Sequence, residues 1–350
     1  MSANAPPDRQ AANRPPRLLI VYGGDHAYQG YAPGRVRYQG LSDVDQLLSD
    51  AVPANRLNLG KDLHRTLLML KQRGSGGDLS AYHCVLNLVS DADTCPITLQ
   101  ALSLLLRGYG GRVINRPEAV LRSSRDQVAN ALSGIPGLMV PKVVRFRGGA
   151  GDDALEAVAG LKFPLIVRRA GTHTGRTMVV VDDEAAFLAA VTDPGDYFAT
   201  EFVDYRSADG LYRKYRIWSF GGRQVFRHLA TTNQWNVHVT PGNEFMYDRP
   251  DLIEEEIRLM ERPEGAFPDE VHAIIAAIGE RLGLDYFGVD FAFLPDGRMV
   301  LFEANAAMNY FPMVPDPRFQ FRERLLAPGQ EAFMAMLGLQ DAEPGGKQVR

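Results

Sequence analysis

The sequence has 350 residues, of which 45% are hydrophobic and 23% charged, and its formal net charge is −4. These values are ordinary for a globular protein with a large core, and the slight acidic excess argues against a general binder of nucleic acids or anionic membranes. The cysteines are Cys84 and Cys95 alone, and no apolar stretch approaches the ~18 residues that a membrane-spanning helix needs, so we expect a cytoplasmic protein with two buried thiols.

The N-terminal part of the chain predicts a small α/β domain. Residues 1–16 are rich in Ala, Pro and Asn, so we expect a disordered tail there. Beyond it, predicted strands alternate with predicted helices, which is typical of a parallel sheet, and we place this domain at 17–116. The segments are 17–22 (strand), 63–70 (helix), 82–89 (strand), 96–106 (helix) and 112–115 (strand).

The loop at 23–40 follows the first predicted strand. Binding crevices in α/β sheets form at the carboxyl ends of strands, so this loop is a candidate substrate contact, with a plain surface loop as the alternative. Its candidate side chains are Asp25, His26, Tyr28 and Arg35.

A loop rich in Gly and Thr lies in the middle of the chain, after a predicted strand at 163–168. The loop carries Thr172, His173 and Thr174 and begins beside Arg168. Backbone N–H groups, hydroxyls and a guanidinium are the groups needed to cover a triphosphate. A simple hairpin turn is the alternative, and the loop by itself favours that alternative. A second local pattern, Ser124 to Gln127, predicts a capping box at the start of a helix.

The C-terminal part contains two predicted hairpins. The first joins strands at 212–219 and 224–230 through two glycines and carries Lys214, Arg216 and Arg227. A basic face on a hairpin is either a solvated surface or a cluster that binds phosphates. The helix predicted at 269–282 has apolar residues at helical spacing and ends before a glycine.

The second hairpin carries a candidate metal site. Its two apolar runs flank an Asp-Gly turn, with Asp290 on the first strand and Glu303 and Asn305 at the end of the second. Side chains two apart on a strand share a face, and antiparallel pairing can bring Asp290 beside them. Two carboxylates and an amide oxygen suit Mg²⁺. The alternative is an ordinary amphipathic hairpin with solvent-facing carboxylates.

The order of these parts resembles the ATP-grasp superfamily, which includes glutathione synthetase and D-alanyl-D-alanine ligase. Four segments carry the resemblance: 163–168 with the Gly/Thr loop, 200–203, 215–222, and 288–291 with 301–305. It implies an α/β protein with an N-terminal parallel α/β domain and two α+β subdomains that grip ATP. The implied subdomains are 117–199 and 200–339, followed by a loose tail at 340–350.

The resemblance also implies roles for individual residues. Mg²⁺, with Mn²⁺ as an alternative ion, would be held by Asp290, Glu303 and Asn305. The implied ATP contacts are Arg168, Thr172, His173 and Thr174 for the phosphates, Glu201, Phe202 and Val203 for the adenine, and Asp204 or Asp209 for the ribose. The implied catalytic cations are Arg216, Lys214 and Arg227.

The implied reaction joins a carboxylate to an amine. ATP phosphorylates the carboxylate to an acyl phosphate, the amine displaces phosphate, and ADP is the other product. Two alternatives stay open: a ligase that forms an ester or amide within a peptide, and a nucleotide-binding regulatory protein without catalysis. The carboxylate and amine are not identified, no nucleic-acid or membrane partner is expected, and a homodimer is not distinguished from a monomer.

Overall fold

The structure is a computed structural model that describes residues 17–25, Val44, Leu48, 52–149, 151–172, 178–237, 239–261, 265–306, Tyr310 and 316–339. Three sheets organise this part of the chain, and a core of apolar side chains covers at least one face of each.

The first sheet is parallel and has the strand order β2-β1-β3-β4. Its strands are β1 (Leu18–Tyr22), β2 (Ala54–Asn58), β3 (Cys84–Asn87) and β4 (Arg112–Ile114), and its helices are α1 (Leu63–Arg73) and α2 (Pro96–Leu105). Strands β1 and β3 are continuous apolar runs because both faces of the sheet are covered: alternate residues enter two different cores. Cys84 and Cys95 are both buried, as predicted.

The second sheet is antiparallel and has the order β6-β9-β7-β8. Its elements are β6 (Val143–Gly148), β7 (Leu165–Arg169), β8 (Val179–Val181), β9 (Gly195–Glu201), and the helices α5 (Gly151–Val158) and α6 (Glu184–Ala190). On β7, Leu165 and Val167 pack in the core under the helices. Strand alternation therefore turns Ile166 and Arg168 to the opposite face, where both line a cleft.

The third sheet has the order β11-β10-β12-β13-β5, antiparallel except for the last pair. Its strands are β5 (Leu138–Met139), β10 (Tyr212–Phe220), β11 (Arg223–Thr232), β12 (Tyr286–Phe293) and β13 (Met299–Asn305). One face packs on α4 (Arg125–Leu132) and α9 (Asp269–Leu282). The remaining helices are α3 (Pro117–Leu121), α7 (Val239–Met246), α8 (Pro250–Glu261), a 3₁₀ helix (Pro317–Leu325) and α10 (Leu326–Met336).

Two local predictions have different outcomes. Helix α9 forms as predicted, and Gly283 ends it in the left-handed conformation with φ 67°. The capping box at Ser124 is wrong: the Ser124 hydroxyl donates to the Asp126 carboxylate at 2.7 Å and makes no capping bond. Within the described ranges, no helix is both long enough and apolar enough to span a bilayer.

Candidate active site

A cleft of about 1180 Å³, part of it open to solvent, lies between the second and third sheets. The second sheet contributes Ile166, Arg168 and the segment from Thr200 to Val203, and the third contributes Lys214, Asp290 and the end of β13. The cleft therefore joins segments that are more than a hundred residues apart in the sequence.

One end of the cleft is apolar. Its walls include Val140, Ile166, Met178 and Leu301, and Phe202 lies across it with its ring 5.8 Å from that of Trp235, edge to face. At the rim, a Glu201 carboxylate oxygen accepts a hydrogen bond from the Lys162 backbone N–H at 3.1 Å. An apolar slot with a few polar groups at its edge suits a flat heterocycle.

Arg168 lies where the apolar end meets the charged end. It is 6% exposed, its Nη2 donates to the Thr172 hydroxyl at 3.4 Å, and its buried Nε has no partner within the described part of the chain. Burial lowers the pKa of Arg168 to about 10, and the nearby positive charge of Arg125 acts in the same direction. A buried, incompletely paired guanidinium is a strong binding group for an anion such as phosphate.

Asp290 is held between two cations on the third sheet. It is 2% exposed, and it accepts a bidentate pair from Arg216 at 2.6 and 2.8 Å and a contact from Lys214 at 3.2 Å. Strand pairing produces this arrangement, because Arg216 on β10 lies directly opposite Asp290 on β12. Burial alone would raise the pKa of Asp290, but the charges of Arg216 and Lys214 outweigh it and hold the pKa well below its ordinary value.

Glu303 and Asn305 lie beside Asp290. Glu303 is opposite Asp290 in the strand register, next to a β-bulge. Its Oε1 accepts a hydrogen bond from the Asn305 side-chain amide at 2.8 Å and forms an ion pair with Arg125 at 2.5 Å. The three oxygen-bearing side chains predicted as metal ligands are thus neighbours at one end of the cleft.

This donor set fits Mg²⁺, which takes oxygen ligands from one or two carboxylates and completes its shell with phosphates and water. Among the residues that the structure describes, no group of three or more His, Cys, Asp or Glu side chains is placed to hold a metal ion. A metal at this position therefore depends on the amide oxygen of Asn305 as its third protein donor.

Comparisons with known proteins identify the architecture. No protein-family model and no curated protein matches the sequence. Among solved structures, the VanG D-Ala:D-Ser ligase from Enterococcus faecalis is 15% identical with a TM-score of 0.54, and 93% of this chain and 100% of that chain align. The RimK domain ATP-grasp protein from Sphaerobacter thermophilus is 15% identical with a TM-score of 0.50, over 92% and 98%. The D-alanine-D-alanine ligase from Coxiella burnetii is 12% identical with a TM-score of 0.53, over 93% and 95%.

The chain has the ATP-grasp fold. The predicted α/β class and the predicted resemblance are confirmed by these structural matches. The domain boundaries and the roles of the site residues stay predictions.

Within this ATP-grasp fold, several predicted site residues do not lie on the cleft. Asp204 and Asp209 are exposed and bind Arg206 and Arg213, each at less than 3 Å at its nearest, instead of facing the cleft. Arg227 is buried in the third sheet and, like Arg216, is not among the residues that line the cleft. Thr172 borders a smaller cavity next to Arg168. His173 and Thr174 lie outside the described residues.

The N-terminal loop prediction is only partly covered by the structure. The Asp25 carboxylate accepts bonds from the backbone N–H groups of Ile97 and Thr98, at 2.9 and 2.8 Å, and from the Thr98 hydroxyl at 2.6 Å. Asp25 thus provides hydrogen-bond acceptors for backbone N–H groups in the first turn of α2, which is a structural role. The other three candidates, His26, Tyr28 and Arg35, lie outside the described residues.

Arg125 is a site residue that the sequence reasoning missed. It lies in the first turn of α4, lines the cleft and pairs with Glu303. A cation in the first turn of a helix is unfavourable because that end carries partial positive charge. This local mismatch between residue and position was the available signal that Arg125 has another role.

Proposed function

We propose that this chain is an ATP- and Mg²⁺-dependent ligase that activates a carboxylate as an acyl phosphate for attack by an amine, with release of ADP and phosphate. The observation that carries the proposal is the cleft: Arg168 projects from one sheet and Asp290, Glu303 and Asn305 from the facing one. Two of the structural neighbours, a D-Ala:D-Ser ligase and a D-alanine-D-alanine ligase, support a ligase in general.

The nucleotide would enter with its base in the apolar end, against Phe202 and Val203, and its phosphates beside Arg168. Asp290, Glu303 and Asn305 would hold Mg²⁺, which when bound would supply positive charge beside the phosphate oxygens. Arg125 shares Glu303 with this site and adds a further cation at the same end of the cleft.

The residues that would act on the reacting groups are Arg216 and Lys214. A carboxylate oxygen of the substrate attacks the terminal phosphorus, ADP leaves, and the amine then attacks the acyl carbon and expels phosphate. Negative charge develops at the phosphoryl oxygens and at the acyl oxygen. Because Asp290 fixes Arg216 by a bidentate pair, the guanidinium is positioned before the substrate arrives. Phosphoryl transfer of this kind requires positioning and cations and no protein nucleophile.

The test is release of ADP and phosphate from Mg·ATP, with and without a panel of amino acids, dipeptides and small carboxylic acids. Release that requires a particular carboxylate and amine supports the ligase and names its substrates. Magnesium-dependent binding of ATP without turnover in any mixture would instead favour a nucleotide-binding regulatory protein. Absence of ATP binding would contradict both.

A further inference from the structure

A β-bulge on β11 contains two neighbouring polar residues, Arg227 and His228, whose side chains are both buried. Arg216 pairs with His228 and Ile217 pairs with Phe226, so Arg227 is the extra residue between them. Bulges are frequent next to active sites, where they redirect a side chain. Arg227 and His228 are 5% and 3% exposed, and the positive charge of Arg216 acts on both.

Four cations lie close together in this region; Lys214, Arg227 and Arg322 are buried and Arg216 is half-buried. Lys214 and Arg216 both pair with Asp290, and Arg322 makes a bidentate pair with Glu256, with both distances 2.7 Å. Arg227 is left without a carboxylate among the described residues: its Nε donates to the backbone carbonyl of Tyr310. Three of the four cations therefore pair with two carboxylates, and the half-buried Glu303 adds negative charge near Arg216.

Two buried nitrogen atoms in this region, one on Arg227 and one on His228, have no hydrogen-bond partner within the described part of the chain. The Arg227 Nη1 and the His228 Nε2 are buried and make no hydrogen bond within the described part of the chain. Burial lowers the pKa of Arg227 to about 10, and the adjacent Arg322 acts in the same direction. Burial and the charges of Arg216 and Arg227 hold the pKa of His228 well below its ordinary value, so the imidazole is neutral. Native proteins rarely leave such groups unsatisfied without a functional reason.

The strand register relates Arg227 and His228 to the residues of the proposed reaction site. Strand pairing places His228, Arg216, Asp290 and Glu303 opposite one another in a row across β11, β10, β12 and β13. Adjacent strands are about 4.8 Å apart, so His228 and Arg227 lie about 5 Å beyond Arg216, on the side away from Glu303.

We infer that Arg227, assisted by His228, binds a second anionic group of the substrate, a carboxylate or a phosphate, about 5 Å from the carboxylate that is activated beside Arg216. This inference rests on the proposed function. A guanidinium offers a planar pair of N–H donors that matches a carboxylate or phosphate. A substrate that lacks the anionic group would leave these buried donors unpaired, and buried sites of that kind discriminate strongly.

The experiment measures the thermal unfolding midpoint of the full chain saturated with Mg²⁺ and a non-hydrolysable ATP analogue. The added probes are inorganic phosphate and three dicarboxylates, malonate, succinate and glutarate, each compared with the monocarboxylate of equal carbon number. The test variant is Arg227→Met, which keeps the length of the side chain and removes its charge. The control is Arg223→Met on the same strand, where the arginine is exposed and pairs with Glu331 at 3.3 Å.

In the native chain and in Arg223→Met, a dicarboxylate or phosphate should raise the midpoint and the matched monocarboxylates should not. A rise of the midpoint with a dicarboxylate indicates that the second anionic group of the substrate is a carboxylate. A rise with phosphate alone indicates that it is a phosphate. Arg227→Met should need about tenfold more anion or lose the response, while its midpoint without anion is unchanged or higher, because an unpaired buried charge is gone. The same runs report binding of the ATP analogue, so failure of the proposed function is recognised separately.

Two results would overturn the inference. One is an anion response in Arg227→Met equal to that of the native chain. The other is the absence of a response to every anion in the native chain. A midpoint that falls in Arg227→Met without loss of anion affinity would assign Arg227 a structural role, as an anchor for the Tyr310 carbonyl.

Discussion

At the scale of single residues, the metal assignment makes a direct prediction about Glu303 and Asn305. Both are partly accessible in the cleft, so Glu303→Gln and Asn305→Ala should leave the fold intact. Loss of either oxygen donor should lower Mg²⁺-dependent ATP turnover by about 100-fold, the cost typical of losing one electrostatic contact to a transition state. Glu254→Gln, at an exposed position on α8, is the matched control. Full turnover in the double variant would remove these residues from the metal site.

Asp290 predicts a pH dependence of stability. Its pKa is depressed in the folded state by Arg216 and Lys214, so the stability it contributes is complete above its unfolded pKa of about 3.9 and declines as the pH falls below that value. Asp290→Asn leaves the buried Lys214 and the half-buried Arg216 without their carboxylate and should lower the free energy of unfolding at pH 7 by about 3–5 kcal/mol.

The measurement is denaturant unfolding of the native chain, Asp290→Asn and the exposed control Asp182→Asn between neutral and acidic pH. The difference between native and Asp290→Asn should narrow as the pH falls below about 4, because the carboxylate is then protonated in the unfolded state while Arg216 and Lys214 keep it ionised in the folded state. A difference that stays constant over this range would show that Asp290 is not the group that titrates.

At the scale of secondary-structure elements, Asn115 joins the first sheet to the third. It follows β4 with φ 56°, a left-handed value, and its side chain donates to the Tyr286 carbonyl at 2.6 Å and accepts from the Asp285 and Tyr286 N–H groups. These bonds fix the first residue of β12, the strand that carries Asp290. Asn115→Gly should lower the free energy of unfolding by about 2–4 kcal/mol through loss of the buried hydrogen bonds.

The comparison with Asn115→Ala separates two causes. Both variants lose the side-chain bonds, but only alanine is strained at positive φ, so Asn115→Ala should be less stable than Asn115→Gly by about 1 kcal/mol. Denaturant unfolding at equilibrium measures both values. Equal stability of the two variants would contradict the strained backbone at this position.

The sequence patterns predicted the elements whose stability is local. The hairpins around Gly221 and Gly297 and the amphipathic helix α9 form because turn residues and periodicity specify them. Strand β2 was missed because it is a polar, partly exposed edge strand without clear alternation. Strand β5 was missed because its two residues are held only by parallel pairing with β13, about 160 positions later in the chain.

The same difference between local and long-range interactions decides which residues of the candidate site could be predicted. Asp290, Glu303 and Asn305 could be predicted together because one hairpin carries all of them. Arg125 and the pairing of His228 with Arg216 could not, because they depend on packing between separate elements and on a bulge that no turn residue marks. Asp204 and Asp209 were assigned by resemblance alone, and each pairs with an arginine on the surface.

At the scale of the whole molecule, Arg145 joins the second sheet to the loop after β3 and to helix α4, which packs on the third sheet. It lies on β6, contacts Asp93 in the loop after β3 and Asp126 on α4 at 3.4 Å, and stacks 4.5 Å from the Phe198 ring. This network fixes the second sheet over the cleft. Arg145→Ala should therefore weaken ATP binding by about tenfold and accelerate hydrogen exchange in the second sheet, but not in the third.

The matched control for that prediction is Arg147→Ala. Arg147 lies two residues further along the same strand and is exposed. Hydrogen exchange followed by mass spectrometry, together with calorimetric titration of ATP, measures both effects. Identical exchange in Arg145→Ala and Arg147→Ala would contradict a role for this network in holding the second sheet in place.

The most direct test of the proposed ligase is capture of the acyl phosphate. The chain is incubated with Mg·ATP, the panel of carboxylates, and hydroxylamine in place of the amine, and hydroxamate and nucleotide products are quantified. We predict one hydroxamate per ADP with the correct carboxylate, none without Mg²⁺, and none in the Glu303→Gln, Asn305→Ala double variant. AMP and pyrophosphate as products, or ADP without hydroxamate for every carboxylate, would contradict activation through an acyl phosphate.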